Sequence, residues 1–157
     1  MDARHTPLWR VVDLAQPAVG AEFSLTPTNA AGWLVQSLRF LCTTSAVVAT
    51  RVPSLLFTNG SIRWGGVCPA NGQAATTTFA YLAVMGMSRG SVGGSHIAMD
   101  WPVGGVWLPQ GHSITSFTDN RDAGDQFSAI AASVIEYPTG EGVTMWPFPP
   151  SYLEESS

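Results

Sequence analysis

Apolar and polar residues alternate along most of the chain in short runs, and clusters of Gly, Pro and Asn separate these runs. A period of two residues is typical of half-buried β-strands, whereas an amphipathic helix repeats every 3.6 residues. The clearest run is 33–42, in which Leu34, Leu38, Phe40 and Cys42 are assigned to one side and Gln36 is the exception. The pattern predicts an all-β protein with no convincing helix.

Turn-forming residues set the ends of the predicted strands. Pro53 predicts a bend or an edge position, because proline has no N–H to donate to a neighbouring strand. Asn59-Gly60 predicts a type I′ hairpin, and the glycine-rich stretch 86–95 predicts a loop. Eight to ten short strands of this kind predict an antiparallel β-sandwich, jelly-roll-like in its order. The predicted strands are 9–14, 21–25, 33–42, 46–59, 61–67, 74–87, 95–100, 105–108, 113–118 and 125–137.

The last predicted strand is apolar on both faces. A strict alternation gives one face Phe127, Ala129, Ala131 and Ile135, and the other Ile130, Ala132 and Val134. One face can pack on the core, but a solvated face would carry polar residues. We therefore expect an arm, a second subunit or another layer to cover the second face.

The length of 157 residues suits one domain that needs no metal or disulfide to fold. We divide the chain into an extended N-terminal arm with the first strands (1–30), the β-sandwich core (31–137) and a C-terminal tail rich in proline and aromatic residues (138–157). Exposed aromatic residues in such segments favour contacts with other chains. The predicted contact residues are Leu8 and Trp9 in the arm and Trp146, Phe148 and Tyr152 in the tail.

Composition narrows the possible partners. Charged residues make up 11% of the chain, against about 25% in an average soluble domain. The net charge is −4 and the seven basic residues, all arginines, are scattered, so we expect no nucleic-acid binding. No stretch has the length of a membrane span, and the first residues lack the apolar core of a signal peptide, which predicts synthesis in a cytoplasm. Low charge in a chain without a membrane span predicts that neighbouring subunits of an assembly cover much of its surface.

One motif resembles a catalytic site. Gly86-Met87-Ser88-Arg89-Gly90 matches the GxSxG nucleophile elbow, and Asp100 and His112 follow in the order of that hydrolase fold. The elbow requires a helix directly after the serine, and the glycines at 90, 93 and 94 disfavour one. We therefore predict no catalytic residues and no enzymatic activity.

Metal and cofactor sites are not predicted either. His5, His96 and His112 are isolated from one another, and Cys42 and Cys68 have no ligand at zinc spacing. The cysteines are interpreted as two buried thiols, with a Cys42–Cys68 bridge left open.

An acidic loop and the tryptophans allow two further interpretations. Residues 119–125 hold three aspartates, but Arg121 occupies a position where a calcium loop needs an oxygen ligand, so we interpret the loop as a turn. The six tryptophans are interpreted as core and interface residues. The alternative is a sugar-stacking platform formed by Trp64, Trp101 or Trp107.

Several segments together resemble small β-sandwich virion proteins of tailed bacteriophages, in the decoration or cement class and related head and tail accessory proteins. The similar segments are Ala31-Gly32-Trp33, Arg51-Val52-Pro53-Ser54-Leu55, Val106-Trp107-Leu108-Pro109-Gln110-Gly111, and Gly124-Asp125-Gln126-Phe127-Ser128 leading to Val134-Ile135-Glu136. The resemblance implies a jelly-roll-like virion protein that forms homo-oligomers, often trimers, and clamps the major capsid protein or another virion protein by its arms. The alternative is a carbohydrate- or receptor-binding module of a tail or spike.

Overall fold

The computed structural model describes residues 7–28 and 32–138, which form eleven strands and no helix. This confirms the predicted all-β class, with one strand more than the upper end of the predicted range. The strands are β1 (Leu8–Asp13), β2 (Ser24–Leu25), β3 (Gly32–Thr43), β4 (Val52–Thr58), β5 (Arg63–Val67), β6 (Thr78–Val84), β7 (Gly90–Gly93), β8 (His96–Met99), β9 (Val106–Leu108), β10 (Ser113–Asp119) and β11 (Gln126–Tyr137).

The strands form two sheets. The seven-stranded sheet has the order β1-β11-β3-β6-β8-β7, and β9 pairs with β3 beyond the end of β6. The four-stranded sheet has the order β2-β10-β4-β5. All pairs are antiparallel except β6 with β8. A β-sandwich is thereby confirmed, and its jelly-roll character stays a prediction.

Both sheets contribute to one hydrophobic core. Leu38 and Val134 come from the larger sheet, Leu55 and Ile114 from the smaller one, and all four are almost completely buried. An aromatic cluster fills one region, where the ring of Phe40 stacks on Tyr81 at 5.0 Å and meets Phe23 and Phe127 at 5.2 and 5.6 Å. Each such aromatic pair adds about 0.5–1.5 kcal/mol of stability beyond the apolar area that it buries.

A β-bulge explains the irregular pattern of β3. Val35 pairs with Val134 and Ser37 with Ser133, so Gln36 is an extra residue in β3. An extra residue reverses the alternation on one side of it. Trp33 and Val35 therefore share the buried face with Leu38, Phe40 and Cys42, and Leu34 lies on the opposite face. The assignment of Leu34 to the same side as Leu38, Phe40 and Cys42 was wrong for this reason.

A second bulge lies in β11. Ser128 pairs with Leu41 and Ala131 with Arg39, and Ala129 has the left-handed φ of 48° that marks the extra residue. Phe127 consequently lies on the same buried face as Ile130, Ala132 and Val134. The prediction that Phe127 and Ile130 lie on opposite faces was wrong. The other face of β11 carries Ala131, Ser133 and Ile135, which is less apolar than the sequence suggested.

The segment around Pro53 is shorter than predicted, because only Val52–Thr58 is a strand. β10 pairs with β4 over its whole length, but β5 pairs with it only from Leu55, so Pro53 has a neighbour on one side only. This agrees with the expected edge position. The Asn59-Gly60 hairpin is also present, but of the two only Gly60 has a positive φ, and Asn59 Oδ1 accepts hydrogen bonds from the N–H groups of Ser61 and Ile62. The turn is therefore not of type I′.

The glycine-rich stretch 86–95 is not wholly a loop. It contains β7, which pairs with β8 at the far edge of the larger sheet. The predicted strand 74–87 is correspondingly reduced to Thr78–Val84.

Candidate functional site

The outer face of the seven-stranded sheet, the side turned away from the core, carries a row of apolar side chains across four strands. In this row Trp9 pairs with Ile135, Ile135 with Leu34, and Leu34 with Trp107. We call these four residues the apolar row. Leu34, Trp107 and Ile135 are each adjacent in sequence to a core residue, so alternation places their side chains on the outer face. Trp9 lies directly opposite Ile135 and therefore shares this face.

Tyr137 extends the apolar row at one end. Its ring lies 5.5 Å from that of Trp107 in an edge-to-face arrangement. Trp107 also lies directly over Gly32, where an added Cβ would come within 2.5 Å of the indole ring. Glycine at this position leaves room for the indole ring, which any larger residue would displace. Two aromatic rings and two aliphatic side chains thus form a continuous apolar surface beside Trp9.

A charged row crosses the same face four residues further along β1. Asp13 pairs with Ala131, Ala131 with Arg39, and Arg39 with Leu82. Beside Arg39 the small side chains of Ala80 and Ala129 leave an open groove of about 240 Å³. His96 and Leu41 line its other parts. Among the described residues Arg39 forms no ion pair, so the groove has a positive charge on its rim.

β1 forms one edge of the sheet and places both predicted contact residues of the arm in solvent. Leu8, Trp9 and Val11 are 59%, 62% and 53% exposed. Trp9 Nε1 donates a hydrogen bond of 2.9 Å to Ser133 Oγ, which holds the indole over β11. Arg10 forms an ion pair of 2.7 Å with Glu136. The segment around Leu8 and Trp9 is therefore an ordered strand with an apolar solvent-facing surface.

A buried ion pair lies at one end of the sandwich. Arg51 is fully buried and Asp125 is 3% exposed, and Arg51 Nε lies 3.1 Å from Asp125 Oδ2. The guanidinium also donates to the carbonyl oxygens of Val47 and Ala49 and to Ser45 Oγ. All of its nitrogens thus have protein partners, which leaves none for a ligand. The pair joins the segment before β4 to the turn before β11.

Hydrogen bonds keep Asp125 ionised in this buried position. Burial opposes ionisation, but the carboxylate accepts hydrogen bonds from the backbone N–H groups of Asp122 and Ser45 as well as from Arg51. Together these partners lower the pKa of Asp125 below its usual value. The aspartate is therefore a structural anion, and residues 119–125 form the predicted turn, held by Asp122 from within and by Ser45 and Arg51 from outside.

Gln73 lies at the centre of a second buried network. Its Nε2 donates to the carbonyl oxygens of Cys42 and Thr77 at 2.8 and 2.9 Å, and its Oε1 accepts a hydrogen bond of 3.0 Å from the Tyr81 hydroxyl. Both polar atoms of the buried Gln73 amide therefore have hydrogen-bond partners within the protein. Like the Arg51 pair, this network stabilises loops and presents no open site.

The two cysteines are free thiols in different environments. Cys42 is buried, and this burial raises its pKa to about 12, which makes the thiolate scarce at neutral pH. Cys68 is exposed, so the interpretation of two buried thiols was wrong for this residue. The two thiols are not joined by a disulfide in the structure.

The three residues of the GxSxG-type pattern are not assembled into a triad. Asp100 accepts a hydrogen bond of 2.8 Å from the Arg89 N–H and forms an ion pair of 3.6 Å with the Arg89 side chain. His112 instead lies beside Trp64, with ring centroids 6.2 Å apart. Strand β7 follows Ser88 where an elbow requires a helix.

The two histidines within the described residues lie in different places. His96 lines the groove beside Arg39, His112 lies near Trp64, and His5 lies outside the described residues. Within 7–28 and 32–138 no group of three His, Cys, Asp or Glu side chains is arranged to hold a metal ion.

The three tryptophans considered for sugar stacking differ in exposure. Trp101 is buried, and its Nε1 donates to the carbonyl oxygen of Val35, so it cannot serve as a platform. Trp64 is 46% exposed and rests on Phe57 at 5.1 Å. Trp107 is half-buried in the apolar row.

The tail residues Trp146, Phe148 and Tyr152 lie outside the described part of the chain. Sequence reasoning missed the apolar row, because Leu34 and Ile135 were assigned from a strict alternation that the two bulges interrupt. The usable signal was Gln36, a polar residue within an otherwise apolar face, which marks the extra residue of β3.

Comparisons with known proteins give no match to any family model, to any curated protein or to any solved structure. The described residues contain no helix long and apolar enough to cross a membrane.

Proposed function

We propose that this chain is a structural protein of a bacteriophage virion, which decorates or cements the capsid by binding the major capsid protein or another virion protein. We also propose that it acts as a homo-oligomer and has no enzymatic activity. The observation that carries the proposal is the outer face of the larger sheet, where no other described residue covers Val11, Trp9 and the rest of the apolar row.

The energetics of this surface favour a bound partner. Trp9 and Val11 are more than half exposed although they belong to a regular strand, and Leu34, Ile135 and Trp107 continue the same surface. Removing apolar surface from water stabilises a complex by roughly 25 cal/mol for each Å². A cementing contact needs more than about 1,000 Å² of buried surface, and a seven-stranded sheet face offers an area of that order.

A particle-binding experiment tests the proposal. Deleting residues 138–157 leaves all eleven strands intact, because β11 ends at Tyr137. We expect the truncated chain to fold and to lose binding to phage particles, and Trp107→Ala to weaken binding in the full chain. Val19→Ala serves as the control, since Val19 is exposed but lies off this face. Unchanged occupancy of both altered proteins on particles would show that neither surface is the capsid contact.

A second candidate function rests on Trp64. Its exposed indole lies at the free edge of the smaller sheet beside His112, and flat aromatic rings pack well on the apolar faces of sugars. In this case the chain would be a carbohydrate- or receptor-binding module of a tail or spike. Glycan-array binding that is lost in Trp64→Ala and kept in Trp9→Ala would favour recognition over cementing.

The absence of catalysis is tested separately. Ser88 is the only residue that the sequence pattern places in a nucleophilic role. We expect a serine-reactive fluorophosphonate probe to leave the folded chain unlabelled, and labelling that disappears in Ser88→Ala would contradict this part of the proposal.

A further inference from the structure

In the described part of the chain five strands have a free edge, and four of them carry features that discourage pairing with another strand. β2 is two residues long and β9 three. β5 contains Gly65-Gly66 and a register shift, and β7 has four residues, a register shift and glycines at both ends. Short length, bulges and glycine are the usual protections of an exposed sheet edge.

β1 is neither short nor bulged, and its only charged residues are Arg10 and Asp13. It is six residues long, pairs with β11 in an unbroken register, and contains no proline or glycine. Four of its six residues are apolar: Leu8, Trp9, Val11 and Val12. A regular apolar edge strand is a template for another strand, so β1 is the one described edge suited to pairing.

The direction of the free backbone groups follows from one hydrogen bond. The Leu14 N–H donates to the Ile130 carbonyl, so the backbone groups of Leu14 point towards β11. In a strand these directions alternate from residue to residue, which turns Val12, Arg10 and Leu8 towards β11 as well. Trp9, Val11 and Asp13 therefore direct their N–H and C=O groups away from the sheet, at the free edge.

We propose that β1 pairs with β1 of a second copy in antiparallel orientation, about a two-fold axis at Val11. This is the register that uses all three free residues of each strand. Val11 lies opposite Val11 of the second copy, Trp9 lies opposite Asp13, and each such pair exchanges two hydrogen bonds, six in total. The two seven-stranded sheets then form one continuous sheet, and the two outer faces form one surface.

The side chains of β1 fit this self-pairing. On one face Trp9 lies next to Asp13 of the second copy and the two Val11 side chains meet. On the other face Arg10 lies opposite Val12 of the second copy. The two Arg10 side chains therefore do not face each other, and neither do the two Asp13 side chains. Like charges are thus kept apart, as a two-fold contact between identical strands requires.

The state of the full chain in solution tests the inference first. We expect sedimentation velocity to show a concentration-dependent species of twice the 16.6 kDa chain mass. Val11→Pro removes the N–H group at the two-fold axis, which does not bond to β11. We expect this change to raise the dissociation constant of the dimer at least tenfold. Val11→Thr keeps the backbone and the branched side chain and should leave the dimer unchanged. Val11→Lys, which places like charges at the axis, gives the same test if the proline variant fails to fold.

Cross-linking tests the register. In a Cys68→Ser background, Val11→Cys should form an intermolecular disulfide, because residues opposite each other in a hydrogen-bonded antiparallel pair have Cα atoms about 5.5 Å apart. Val19→Cys, equally exposed but outside β1, is the control. A mixture of Trp9→Cys and Asp13→Cys chains should cross-link mainly as mixed pairs.

Three results would overturn the inference. A chain that stays monomeric at every soluble concentration has no such contact. A trimer that Val11→Pro leaves intact uses another surface, as the resemblance to trimeric virion proteins would imply. Cross-linking at Val11 only after another virion protein is added would show that β1 pairs with a foreign strand. None of these results depends on whether the chain binds capsids.

Discussion

The buried ion pair between Arg51 and Asp125 gives the sharpest prediction about stability. Asp125→Ala removes the carboxylate that accepts hydrogen bonds from Arg51, Ser45 and Asp122, and leaves a fully buried guanidinium without its counter-charge. Breaking one partner of a buried pair costs about 3–5 kcal/mol of unfolding free energy. For a domain of this length that corresponds to a decrease in Tm of roughly 6–20 °C.

Urea denaturation followed by tryptophan fluorescence and far-UV circular dichroism measures this loss. The matched control is Asp100→Ala, which breaks the exposed pair with Arg89 and should cost at most about 1 kcal/mol. The double variant Arg51→Met/Asp125→Ala should be less destabilised than the sum of the two single variants, since it leaves no unpaired buried charge. A cost below about 1 kcal/mol for Asp125→Ala would refute the assignment of this pair as a structural anchor.

The remaining predictions concern pH, thiols and the β11 bulge. The pKa of Asp125 is lower in the folded than in the unfolded chain, so its contribution is complete above the unfolded pKa of about 3.9 and is lost as pH falls through the folded pKa. Urea titrations should therefore show that acid lowers the unfolding free energy less in Asp125→Asn than in the native sequence. Ellman's reagent at pH 8 should label Cys68 rapidly and Cys42 only after denaturation, and fast labelling of both would contradict the buried thiol. Ala129→Gly should raise the unfolding free energy by about 0.5–1 kcal/mol, because the left-handed φ suits glycine, and a lower urea midpoint would contradict this.

The alternation of residues was sufficient to predict the fold class. The short runs between Gly, Pro and Asn correctly predicted at least part of ten of the eleven described strands. β7 was missed because a Gly-Ser-Val-Gly sequence has weak strand propensity. The two-sheet sandwich followed from the number and length of the runs. These are local signals, which a single sequence carries reliably.

The faces of β3 and β11 could not be predicted in the same way. A bulge is defined by the register between two strands that are about ninety residues apart in sequence, and Gln36 and Ala129 show no local sign of it beyond a polar residue in an apolar run. The argument that β11 has two apolar faces failed for this reason. The uncovered apolar surface that the sequence suggested is instead formed across strands, by Trp9, Leu34 and Trp107 together with Ile135.

The position of β1 also constrains the order of events during synthesis. Within the described residues β1 pairs only with β11, the last strand there, so this partner emerges from the ribosome about 120 residues later. Until then Leu8, Trp9 and Val11 have no sheet to join, and contacts of such long sequence separation form slowly. A chain that stalls before β11 is made therefore lacks an ordered β1 edge. Any assembly that recognises this edge selects chains in which β11 has folded, without a separate checking step.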